Sequence, residues 1–183
     1  MVKATKITKE DELLLQSFSS SAAINSTSTS ALFFVMATCA VLPLLYLFYG
    51  INQMDIYESG IILGVSAIAG IYSLIFSYKQ MTQNQKPKIE RLRQEAIARD
   101  ICRELADDKK ISKKEKDDRV LFKVNEHAAK ESAAWAIFYN NALFTAVCLF
   151  FAFFVFGSLS GNINCVVSIV GAGGVVALFS TSK

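Results

Sequence analysis

Ser59–Tyr78 reads SGIILGVSAIAGIYSLIFSY and holds no Asp, Glu, Lys or Arg, while the stretch that follows, Lys79–Glu131, holds 26 of the chain's 35 charged residues. An ionised side chain buried in hydrocarbon costs several kcal/mol, so charge is expelled from segments that live there. Outward from this boundary, Leu13–Met54 and Ser132–Ser182 are also free of charge. The pattern is that of a chain crossing a membrane several times, with one water-facing insert where its chemistry concentrates.

A length of 183 residues with 52% apolar composition and a mean hydropathy of +0.36 leaves too little polar surface for a soluble domain. Crossing about 30 Å of hydrocarbon takes roughly 20 helical residues. Ala31–Ile51, Ile56–Tyr78, Ile137–Gly157 and Ile163–Thr181 meet that need. The expected fold is an all-α membrane protein with four transmembrane helices and a cytosolic helical hairpin between the second and third. The divisions are a tail over 1–30, helices over 31–78, a basic hairpin over 79–134, and helices over 135–183 with a short C-terminal end. Nothing marks the first apolar run for cleavage as a signal peptide.

Lys and Arg in short loops favour the cytoplasmic side. The Lys79–Glu131 insert holds 15 of them, and the Tyr49–Tyr57 and Ser158–Asn162 connections hold none. Both termini and the insert are therefore expected in the cytosol. Trp135, Tyr139 and Tyr78 at the inner boundary, and Tyr46, Tyr49 and Tyr57 at the outer, suit interfacial belts. The Asn25-Ser26-Thr27 glycosylation pattern then lies on the side where it stays unmodified. Cys39, Cys148 and Cys165 fall in or beside the spans and Cys102 in the insert; all read as small hydrophobes rather than a disulfide framework.

Asp11–Phe18 has the pattern of a short amphipathic surface helix, and Ser17–Ser30 that of a Ser/Thr-rich linker. Pro43 is expected to kink the first span. In the second, Gly60 and Gly64 stand one turn apart on a small-residue track with Ala67 and Gly70; in the fourth, Gly171 and Gly173 repeat the device. Small residues let helix backbones approach closely in lipid, so all four glycines are read as helix-packing positions. Pro87 suits the first position of a new helix. Ile89, Leu92, Ile97, Ile101 and Leu105 recur at helical spacing, followed by a turn at Asp107–Lys110. Ser112 with Glu115 forms a capping-box pattern, and the helix after it carries Val120, Leu121, Val124 and Ala128 on one face.

No catalytic constellation is present. His127 is the only histidine and has no metal-ligand set spaced with it. Neither a cofactor nor enzymatic activity is expected. A solute pathway would use polar groups within the spans, where Asn140 and Asn141 are the main candidates. A small transporter for a neutral solute is thus the alternative reading. The leading candidate site is Lys109–Arg119, KKISKKEKDDR, with six cations and three anions in eleven residues. Lys109, Lys110, Lys113, Lys114, Lys116 and Arg119 would form a phosphate-docking surface at the hairpin tip. Anionic lipid wants its cations beside the membrane, whereas a tip suits RNA or an acidic protein.

These residues resemble a known family. DELLLQ over 11–16, SALFF over 30–34, Ser112-x-Lys114-Glu115-Lys116-Asp117-x-Arg119 and IFYNN over 137–141 are similar to the gamma subunit of the translocon-associated protein complex. The resemblance implies a multi-pass protein of the endoplasmic reticulum membrane, surrounded by membrane lipid. It also implies a non-enzymatic accessory role in protein translocation. The partners it implies are the other translocon-associated subunits, the Sec61 protein-conducting channel and the large ribosomal subunit, both rRNA and ribosomal protein. The cytosolic domain would dock the complex on the translating ribosome, with the Lys113–Arg119 segment matching the family's motif there.

Overall fold

The computed structural model describes residues 27–54, 56–104 and 113–182, and those residues are all helix and short connection. α1 spans Thr27–Asn52, α2 Ile56–Glu104 and α3 Lys113–Phe150; a five-residue π-helical segment follows at Phe151–Val155, and α4 spans Gly161–Thr181. Each of the four helices carries an apolar stretch long enough to cross a membrane. A tight reversal joins α1 to α2, with Gln53 in the left-handed region at φ 46°.

The core is a seam of Phe33, Val41, Leu74, Phe144, Ile169 and Val176, all fully buried. Bulky residues meet glycines where backbones approach. A Cβ added to Gly70 would stand 2.9 Å from Ile169 Cγ2 and 3.2 Å from Val41 Cγ2, so α1, α2 and α4 converge there. One added to Gly173 would stand 2.9 Å from Ser73 Cβ, and one added to Gly171 would lie 3.0 Å from the Phe151 ring. Added at Gly60 or Gly64, it would meet nothing within 4 Å. The tight contact on α2 is therefore at Gly70, further along the small-residue track. Among the described residues no helix covers the side of α2 on which Gly60 and Gly64 lie, beside exposed Tyr57, Ile61 and Ile68.

The third span contains a feature that periodicity does not announce. The amide of Phe156 donates to Phe151 O at 2.8 Å, an i to i+5 bond that widens the helix by one residue. Asn164, 5% exposed, donates its amide to Ala152 O at 3.0 Å within this segment and accepts from Ser168 Oγ at 2.9 Å. A buried polar side chain from α4 thus pairs with a carbonyl of the widened turn.

Three expectations change. Pro87 is not the start of a separate helix: α2 runs through it for 49 residues. The missing amide costs one bond to the carbonyl four residues earlier, and polar surroundings beyond the apolar span can satisfy that carbonyl. Tyr78 is not an interfacial ring but fully buried against Phe33, with centroids 5.5 Å apart. Cys39 is exposed, unlike buried Cys148 and Cys165.

Candidate docking surface

Past Tyr78 and before Trp135, α2 and α3 leave the apolar spans together as a paired arm. Three tiers of polar contact position it. At the base the Tyr78 hydroxyl donates to Asn141 Oδ1, Ser180 Oγ donates to Asn140 Oδ1 at 3.0 Å, and Asn84 Nδ2 donates to Ser180 O at 2.9 Å. Tyr78, Asn84, Asn140, Asn141 and Ser180 thereby tie α2, α3 and α4 together, while Asn140 Nδ2 is buried without a partner. In the middle, Lys86 is 2% exposed with Glu90 Oε1 3.7 Å away, an ion pair too long for a hydrogen bond. Burial holds the Lys86 ammonium below the usual lysine range, against the opposing pull of Glu90.

The outer tier joins the two helices directly. Arg93 donates from Nε to Glu131 Oε2 at 3.1 Å and from Nη2 to Oε1 at 2.8 Å, a two-pronged pair. Those hydrogen bonds hold the Glu131 carboxyl below the usual carboxylate range. Because Tyr78 meets Asn141 and Arg93 meets Glu131, advance along α2 matches retreat along α3, so the helices run antiparallel. On α3 the seam is Val124 and Ala128, both buried, whereas Leu121 is half-exposed. Leu92 is 80% exposed and so not on the packed face of α2; its neighbour Arg93 makes the cross-helix contact instead.

The outer surface of the arm carries exposed Lys88, Arg91, Arg99 and Arg103 on α2 and exposed Arg119 on α3. Of the basic residues singled out from the sequence, Lys113, Lys114 and Lys116 fall in the first turn of α3. Lys109 and Lys110 lie outside the described residues, as do the turn at Asp107–Lys110 and the capping serine, Ser112. Among the described residues no group of three His, Cys, Asp or Glu is placed to hold a metal. Sequence reasoning did not single out Lys86, Arg93, Glu131, Asn84 or Asn164. The i, i+4 spacing of Lys86 with Glu90 and of Glu126 with Lys130 was available as a signal; a pair 38 residues apart had none.

Comparison with known proteins converges on one family. The family described as "Translocon-associated protein, gamma subunit (TRAP-gamma)" matches residues 10–182. The "Translocon-associated protein subunit gamma" of Dictyostelium discoideum is 28% identical over 151 residues, covering 82% of this chain and 85% of that protein.

Proposed function

The chain belongs to the translocon-associated protein gamma-subunit family, and from that premise we propose that it anchors a translocon-associated complex to the translating ribosome through its basic arm. In this reading the four apolar helices sit in the endoplasmic reticulum membrane beside the sister subunits and the Sec61 channel. The arm and both termini face the cytosol, as the distribution of Lys and Arg favours. The observation that carries the reading is the arm itself. From Tyr78 to Glu104, α2 continues 26 residues past its apolar span, about 39 Å at 1.5 Å per residue. Its end therefore stands well outside the lipid headgroups, where the cations suit a phosphate backbone better than a membrane surface.

Such docking works by charge and counterion release rather than by a shaped pocket. Lys109, Lys110, Lys113, Lys114, Lys116 and Arg119 would supply the phosphate contacts, with exposed Arg99 and Arg103 on the facing helix in support. The Arg93–Glu131 pair and the polar layer at the base keep the arm from swinging, which limits the ordering entropy of binding.

Charge reversal tests this directly. Replacing Lys113, Lys114 and Lys116 with Glu should abolish co-sedimentation with ribosomes at moderate salt while membrane insertion continues. In single replacements, removing one phosphate-binding cation should lower the salt slope of binding by roughly one unit. Changing Lys3, Lys6 and Lys9 should matter much less. Ribosome binding that persists in the triple variant would overturn the proposal.

A further inference from the structure

α1 and α3 run parallel, since each is antiparallel to α2: Phe33 packs on Tyr78 while Val41 faces Gly70, and Tyr78 bonds Asn141 while Arg93 bonds Glu131. Thr29, one turn before Phe33, therefore stands about level with Ile137, one turn before Asn141. Between the two helices lies an open groove of about 1400 Å³, and its walls are unequal. The α1 wall starts at Thr29, two residues into the helix, and the α3 wall at Phe122. From Ile137 back to Phe122, 15 residues or about 22 Å of α3 wall have no α1 beside them. Lipid does not reach the far end. Phe122 lies 13 residues, about 20 Å, beyond Trp135 and between Arg119 and Lys123, yet it is 70% exposed. With Ala129 and Ala133 it forms an apolar strip on a charged arm, and such a strip marks a contact surface. Polar capacity is left over as well. Among the described residues, Thr82 Oγ1, Glu90 Oε1 and Asn125 Oδ1 are buried with no hydrogen-bond partner. The missing cover must bring apolar bulk and hydrogen-bond donors.

The chain that leads into α1 is the nearest source of that cover. Residues 1–26 precede the helix and lie outside the described residues, and the family match begins at residue 10, so 10–26 belongs to the shared sequence. In DELLLQSF over 11–18, Asp11, Leu14, Leu15 and Phe18 stand at i, i+3, i+4 and i+7, the spacing of one helical face. Ser17 and Ser19 flank that face with hydroxyl donors. Nine residue steps from Phe18 to Thr27 can span about 30 Å, more than the uncovered length of wall. Such a tether holds the segment at a local concentration on the order of millimolar, which an untethered partner must match. We propose that Asp11–Phe18 folds back onto this uncovered length of α3, laying Leu14, Leu15 and Phe18 over Phe122, Ala129 and Ala133. Asp11, on the same face, then meets Lys130 at the groove's polar end.

Cysteine pairing in microsomes tests the contact on the full chain, with Cys39 and Cys102 changed to Ser and buried Cys148 and Cys165 kept. Under mild oxidation the pair Leu14→Cys with Ala129→Cys should cross-link within the chain about five-fold faster or more than Leu14→Cys with Leu92→Cys, whose second site is exposed on α2. Ala129→Cys alone should react slowly with a water-soluble maleimide, and several-fold faster once Leu14, Leu15 and Phe18 are changed to Ser. Equal cross-linking of the two pairs would overturn the proposal, as would a maleimide rate that the triple serine change leaves unaltered. Cross-links from Ala129→Cys to a sister subunit, in place of those within the chain, would give the groove to that subunit and overturn it too. Labelling of 11–18 by a lipid-borne diazirine would do the same, by putting the segment on the membrane surface. The ribosome-docking cations are unaltered in every variant, so failure here is separate from failure of the docking proposal.

Discussion

At Gly173 a single added methyl group would press on Ser73, which leaves no route for a larger side chain short of moving α4 away from α2. Gly173→Leu should destabilise the isolated chain by about 1–3 kcal/mol, the usual cost of overpacking a tight core. Gly64→Leu, with open space around its Cβ, should leave that stability unchanged. Denaturation of both variants in the same detergent checks the contrast. Glu131 makes a prediction of a different kind. Its carboxyl titrates below its unfolded value because Arg93 hydrogen-bonds to it. The contribution is therefore present above the ordinary glutamate range near pH ~4.3 and is lost as pH falls through the lower folded value. Thermal melts should show the unaltered protein slightly above Glu131→Gln at pH ~7, with the difference shrinking as pH falls below the ordinary glutamate range.

At the scale of elements, the long helices do more than cross the membrane. α2 carries Pro87 in its interior, where proline removes one backbone bond and costs about 3 kcal/mol relative to alanine. Pro87→Ala should slow amide hydrogen exchange over residues 83–91 by roughly ten-fold or more, read by mass spectrometry. No change would mean that the helix is already held there by its contacts with α3. The Gly60 and Gly64 track belongs at this scale as well. It runs along an uncovered face of α2, and we expect it to receive a helix from a sister subunit, since small residues permit close approach in lipid. Replacing both with Leu should lower recovery of the assembled complex while the isolated chain folds normally. Unchanged recovery would make the glycines incidental.

For the whole molecule, the asymmetry of charge is the organising fact. The cations outside the spans lie in the 79–131 insert and at the two chain ends, while the two short connections carry none. In sealed microsomes, added protease should therefore cut within 79–131, and Asn25 should carry no glycan. Protection of the insert would invert the orientation and remove the arm from any ribosome.

The number of apolar helices and the extent of the charged insert follow from sequence alone, because excluding charge from hydrocarbon is a one-dimensional constraint written residue by residue. The resemblance to the gamma-subunit family was legible for the same reason: motifs such as Ile137–Asn141 are contiguous. Tertiary structure alone decided which small residues pack within the chain: Gly70 meets Ile169 and Val41, whereas a Cβ at Gly60 would meet nothing within 4 Å. It also decided that Tyr78 and Asn141 are partners, and that Lys86 is buried at the head of a groove. Those facts depend on how far each helix is rotated about its axis and on the register of its neighbours. Both are set by pairs of residues tens of positions apart, which local periodicity does not encode.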